Sequence, residues 1–207
     1  FRALGGEMKP TYTRALVSVA LLVVACDRKN PEANCGNAEP NAIVVDGPIL
    51  SYLSQARALH HEASLHEASG NIDGALQSLS RLVNAPKPHV GTNGASVPEV
   101  EEVLADAYAR MAELELSRGS VDRAAANIDL GLTHAASDTY FRGHLFEVRG
   151  LIEEARSKSL ADAGKSPEAE AARKRALVAL EEAIGIQDRV IRKALAGDSG
   201  AAGGGAK

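Results

Sequence analysis

Apolar positions recur at helical spacing along most of the chain from Pro48 to Leu195. The third such stretch is the clearest. Val100, Val103, Leu104, Ala107, Tyr108, Met111 and Leu114 fall along one face, in the i, i+3, i+4, i+7 order of a half-buried helix. The pattern predicts six helices, over 48–69, 71–84, 98–118, 120–135, 138–163 and 166–195. Signals at their starts agree. Pro48 suits a first helical position after Asp46-Gly47, because its missing N–H would find no partner there. Ser96-Val97-Pro98-Glu99 has the spacing of a capping box, and Ser166-Pro167-Glu168 sets a cap, a starting proline and an early acid in order. Ala85–Val97, with Pro86, Pro88, Gly91 and Gly94, reads as a long loop. Residues 26–47 lack periodicity and read as a flexible tether; 197–207, rich in Gly and Ala, read as a disordered tail. The helical domain between them covers 48–196.

Composition narrows the fold class to all-α. Aromatic residues make up 3% of the chain, Trp is absent, and Ala, Leu, Glu and Arg are abundant. These residues lose little rotamer freedom in a helix, whereas sandwiches and barrels draw on β-branched and aromatic side chains. The formal net charge is −4, which offers no phosphate-neutralising excess and argues against a nucleic-acid partner. The two cysteines, Cys26 and Cys35, cannot build a disulfide framework, and Cys35 reads as an unpaired thiol.

The N-terminal region reads as an address. Lys9 and Arg14 precede an apolar run from Ala15 to Ala25, interrupted only by Ser18, and the run is too short to span a bilayer. Residues 8–25 therefore have the order of a secretory signal peptide. Leu22-Val23-Val24-Ala25-Cys26 resembles the lipobox of bacterial lipoproteins, in which a small residue precedes an obligatory cysteine. The resemblance implies that Cys26 receives a diacylglyceryl group and becomes the new amino terminus. Acyl chains contribute roughly 0.8 kcal/mol per buried CH₂, and several of them anchor stably. Removing everything before Cys26 takes away Arg2, Lys9 and Arg14 against Glu7, so the remaining body is still more acidic. It has no polybasic patch for an anionic membrane surface, and the anchor alone would hold it there. Gly5-Gly6-Glu7 ahead of Met8 reads as upstream leader, because codons for Gly-Gly-Glu can spell a purine-rich ribosome-binding sequence; residues 1–7 are set aside on that ground.

Three turns line up: Gly70-Asn71-Ile72-Asp73-Gly74-Ala75, Gly119-Ser120-Val121-Asp122-Arg123-Ala124 and Gly164-Lys165-Ser166-Pro167-Glu168-Ala169. In each, a Gly able to adopt the left-handed conformation ends one helix, and an Ala five residues later lies inside the next. Twelve residues before each Ala stands another small residue, Ala63, Ala112 and Ser157. Small residues paired across a helical hairpin resemble the tetratricopeptide repeat, with Leu79 and Leu82 at packing positions of its second helix and Pro86 near its closing proline. The resemblance implies antiparallel hairpins stacked as a short solenoid that binds a protein or peptide. The copies are 49 and 45 residues apart against about 34 in the family. In the third, Glu153 and Arg156 stand where apolar residues are expected, and Ala176, Leu180 and Ala183 fit the second helix better in a register that lengthens both helices. A plain helical bundle with glycine turns satisfies the same pattern.

No constellation of side chains points to catalysis. His60, His61 and His66 stand near Glu62, but His61 and His66 are five apart, about 140° around a helix, rather than on one face as a zinc-protease helix requires. Gly197-Asp198-Ser199-Gly200 has the letters of a serine-nucleophile loop without the fold around it. The pairs Glu101-Glu102, Glu153-Glu154 and Glu181-Glu182 are adjacent on helices and read as solvated surface. The expectation is a non-enzymatic, lipid-anchored scaffold of the bacterial cell envelope, on the periplasmic face, with an unidentified protein or peptide partner. It has no cofactor, metal, nucleic acid or small-molecule substrate. The alternative is a structural or assembly subunit of a larger membrane complex.

Overall fold

The punctuation of the sequence reappears as six helices among the described residues. A computed structural model describes residues 46–88 and 96–201. In chain order they form α1 (Gly47–Ala68), α2 (Ile72–Val83), α3 (Pro98–Ser117), α4 (Val121–His134), α5 (Tyr140–Asp162) and α6 (Ser166–Ala201), with no strand among the described residues. The fold class is all-α. Leader 1–7, signal segment 8–25, Cys26, Cys35, tether residues up to 45, loop residues 89–95 and tail residues 202–207 lie outside the described residues.

Local chemistry explains the starts. Asp46 accepts from the Ile49 N–H at 3.4 Å, Asn71 from the Gly74 N–H at 2.9 Å and Thr139 from the Arg142 N–H at 3.2 Å, each relieving one unpaired first-turn donor. Two starts differ from expectation. The cap of α3 is Val97 rather than Ser96, and no side chain bonds the first turn. Val97 is buried in the core, so packing rather than a hydroxyl sets where the helix begins. Ser166 is already helical in α6, and the carbonyl of Lys165 accepts from the Ala169 N–H at 2.9 Å. The far end of α6 also departs from the sequence. It runs through Gly197 to Ala201, where a disordered tail was expected to begin. Gly is a poor helix former, yet adding residues to a helix already formed is far cheaper than nucleating one.

The helices pair in sequence: α1 packs on α2, α3 on α4 and α5 on α6. Between hairpins, α3 touches α1 and α2, and α5 touches α3 and α4. Among the described residues, no close backbone contact joins the first hairpin to the third, α2 to α4, or α4 to α6. Tyr52, Leu59, Leu82, Val100 and Leu104 form one core between the first hairpin and α3. Ala63, Ala75, Leu79 and Leu114 form a second, nearer the first turn. Ile128, Leu145, Val148 and Ile152 fill the third together with Ala105, Ala109, Ala112 and Ala124. The buried residues of α6 are nearly all Ala, at 169, 172, 176, 179 and 183, with Ile186. Small side chains on one face let α5 and α6 lie close. Gly150 serves the same approach, since a Cβ there would stand 2.7 Å from Leu180 Cγ.

Candidate functional site

The three glycine turns are one motif made three times. Gly70, Gly119 and Gly164 have φ of 76°, 79° and 74°, the left-handed region that costs an L side chain about 1–2 kcal/mol. At each, the Gly N–H donates three residues back, to Glu67, Leu116 and Ala161. The next N–H donates five residues back, from Asn71 to His66, Ser120 to Glu115 and Lys165 to Leu160, at 2.8–2.9 Å. This pair of bonds satisfies the carbonyls at a helix end and reverses the chain. Ala63 and Ala75 are fully buried in one cluster, as are Ala112 and Ala124 in another. In the third hairpin the contact is polar. Ser157 Oγ donates to the Ala169 carbonyl at 2.8 Å, and Ala169 is buried.

Glu153 and Arg156, which fitted no apolar position, belong to an ionic clasp that occurs twice. In the first, Glu115 accepts from Arg118 at 2.7 Å, Arg118 reaches back to Asp73 at 2.6 Å in the first turn of α2, and Arg123 of α4 lies 4.0 Å from Glu115. In the second, Glu153 pairs with Arg156, Arg156 reaches back to Asp122 at 3.1 Å in the first turn of α4, and Arg175 of α6 donates to Glu153 at 2.8 Å. Each clasp links a hairpin to the one before it. The Glu and Arg members recur at 38 residues, while the turn glycines that follow them, Gly119 and Gly164, are 45 apart. The side chains of Glu115 and Glu153 are 9% and 12% exposed, so the adjacent pair Glu153-Glu154 is not uniformly solvated surface.

Other charged groups cross the same boundaries. Arg110 of α3 binds Glu67 of α1 at 2.8 Å and Ser64 at 3.1 Å. His60 of α1 stands 3.7 Å from Asp106 of α3, and His144 of α5 stands 3.7 Å from Glu113 of α3. Burial pushes the His60 imidazole below its ordinary value, against the pull of Asp106. Burial likewise raises the Glu113 carboxyl. Within the second hairpin, His134 Nδ1 lies 2.6 Å from Glu101 and its ring stacks on Tyr108 at 5.6 Å. These histidines serve separate pairs. His61 is exposed, and His66 lies 3.3 Å from the Asn71 amide. Among the described residues no three His, Cys, Asp or Glu side chains are grouped to hold a metal ion.

Two features remain open to a partner. A groove of about 720 Å³ lies over α5 between α4 and α6, with Ile128, Phe146, Ile152 and Val178 on its walls and arginines at its lip. Elsewhere on α6, Leu177, Ile184, Ile191 and Leu195 are each more than half exposed and form one stripe along the helix. Neither was legible beforehand, since the groove depends on the spacing between hairpins and the stripe on which face of α6 its neighbours leave free. Among the described residues no helix is long and apolar enough to cross a membrane. Comparison with protein-family models, with curated proteins and with solved structures finds no match to this chain.

Proposed function

We propose that this protein is a lipid-anchored scaffold of the bacterial cell envelope that binds a protein or peptide partner through stacked, tetratricopeptide-like helical hairpins. The observation that carries the reading is the neighbour-only packing of three hairpins, each closed by the same glycine turn and linked by a recurring clasp. Nearest-neighbour contact is the hallmark of a solenoid, whereas a bundle closes its helices around a shared centre. The Glu and Arg members of the clasp recur at 38 residues but its Asp members, 73 and 122, at 49, so the reading needs inserted residues between copies of the family's repeat of about 34. The anchor rests on Leu22–Cys26 and sets the protein on the periplasmic face. The reading includes no catalysis, cofactor, nucleic acid or small-molecule substrate.

A second reading, a permanent subunit of a membrane complex, is favoured by the stripe of Leu177, Ile184, Ile191 and Leu195 on α6, since contiguous exposed apolar surface suits a lasting interface. Affinity purification from native membranes separates the two. A scaffold yields partners that are substoichiometric and leave in high salt. A subunit yields a fixed stoichiometry that survives detergent and salt. Recovery of the chain alone contradicts both.

A further inference from the structure

We propose that the outer face of the third hairpin pairs two copies of this chain about a two-fold axis. The inference rests on the stacked hairpins of the scaffold reading and adds a partner, a second copy.

The face follows from the order of stacking. Gly143 and Gly150 of α5 meet Ala183, Gln187 and Leu180 of α6, and this line of contact is the seam of the hairpin. At about 100° per residue, Phe146 and Glu153 of α5 fall on one side of the seam with Val178 and Glu182 of α6, and that side holds the groove. Tyr140 and Leu151 of α5 fall on the other side, as do Leu177, Ile184, Ile191 and Leu195 of α6. In the second hairpin the corresponding side carries Ala105 and Ala109 of α3 with Ile128 and Leu132 of α4, and α5 covers it. In the third these apolar side chains are exposed, and no described helix lies over them.

The two ends of the stack differ. The outer side of the first hairpin is polar: Glu62 of α1 pairs with Arg81 of α2 at 2.9 Å, beside exposed Ser51, Gln55 and Gln77. Leu50 and Leu65 are exposed on α1 but stand about 22 Å apart along it. End repeats need a polar outer face to stay soluble, and only the first hairpin has one. Head-to-tail addition of copies would set the apolar face against Glu62 and Arg81. A two-fold axis sets it against itself, which is the self-complementary contact of a symmetric dimer.

Area agrees. From Leu177 to Leu195 the face is about 27 Å long and, across two helices, about 18 Å wide, or about 500 Å² per copy. A pair of copies would bury about 1,000 Å², the lower bound for a specific contact. Charge does not oppose it. At the margin on α6, Glu170, Glu181 and Asp188 stand with Arg173, Lys174 and Arg192; on α5, Glu147 and Glu154 stand with Lys158. These nearly cancel, so the face selects neither a strongly acidic nor a strongly basic partner, and two copies bring no large like charge together.

The test uses the purified full chain. Sedimentation equilibrium should show monomer and dimer exchanging with concentration. Ile184→Asp, at the middle of the face, should weaken the dimer at least about tenfold, the loss expected of a central interface contact. Val178→Asp should leave it unchanged, since Val178 is 65% exposed against 63% for Ile184 but lies on the groove side. Hydrogen exchange should slow with rising concentration over 147–154 and 177–195, while 48–84 stays as it was. A chain that is monomeric at every concentration would overturn the proposal, as would a dimer that the two substitutions weaken equally or not at all. Growth beyond the dimer would overturn it in favour of head-to-tail addition. Protection of the face in a monomer at every dilution would overturn it by assigning the face to another part of the same chain. Each of these failures leaves the scaffold reading intact, which the membrane purification tests by itself.

Discussion

At the residue scale the decisive side chains are small. Ala124 is fully buried within the core formed by α3, α4 and α5, so extra carbons there must push helices apart or force a strained rotamer. Ala124→Leu and Ala75→Leu should each cost about 1–3 kcal/mol. Ala169→Leu should cost less, because that site retains 6% exposure and sits beside a polar contact rather than an apolar one. Leu at the exposed Ala126 should stay within about 0.5 kcal/mol. Thermal midpoints of the four variants decide the order, and equal tolerance at 75, 124 and 126 would remove the close hairpin contact. His60 supplies a pH dependence. Burial holds its native pKa below the ordinary 6.5, while Asp106 pulls it up and Arg110 pushes it down. Between the lowered native value and 6.5 the unfolded chain binds more protons, so stability rises with pH through that window and falls as pH drops from 6.5. Glu113, raised by burial above its ordinary 4.5, acts with the opposite sign. Denaturant midpoints measured at and below pH 6.5 should therefore fall less steeply for His60→Gln than for the natural chain. An unchanged slope would remove His60 as the cause.

At the scale of elements, the hairpins are held by turns and by clasps, and the sequence disclosed these unequally. Gly70, Gly119 and Gly164 were visible because a helix end of this kind demands a left-handed residue, a requirement met within a few positions of the chain. The six helices were visible for the same local reason. The cap of α3 was not, because burial of Val97 outweighs the hydroxyl of Ser96. Glu153 and Arg156 looked misplaced because their partners Asp122 and Arg175 come from other helices, and only the stacking register brings them together. Glu153 carries the second clasp. Its side chain is 12% exposed between two guanidiniums, and bonds to charged groups in such places contribute about 1.5–3 kcal/mol. Glu153→Gln keeps the shape and removes the charge. It should destabilise by about 1–2 kcal/mol and speed hydrogen exchange in α5 and α6 while leaving α1 and α2 unchanged. Uniform acceleration through all six helices would mean that the hairpins unfold as one bundle.

At the scale of the whole molecule, backbone contacts among the described residues join each hairpin only to the next, and in the proposed solenoid stability should be a sum of hairpin and boundary terms. That arrangement leaves long surfaces free, of which the α5 groove and the outer stripe of α6 are the apolar ones singled out above. What such surfaces meet depends on where the stack is held. The proposed tether is a single acylated cysteine, Cys26, at the end of an apolar run too short to span a bilayer. We propose the two together, a hairpin stack fixed to a membrane by lipid. Labelling cells with a radioactive fatty acid, for the natural chain and for Cys26→Ser, tests it most directly. The natural chain should be labelled and shortened to begin at Cys26, and the Ser variant should remain an unlabelled precursor that keeps residues 8–25. A Ser variant still labelled and cut at the same place would contradict the account.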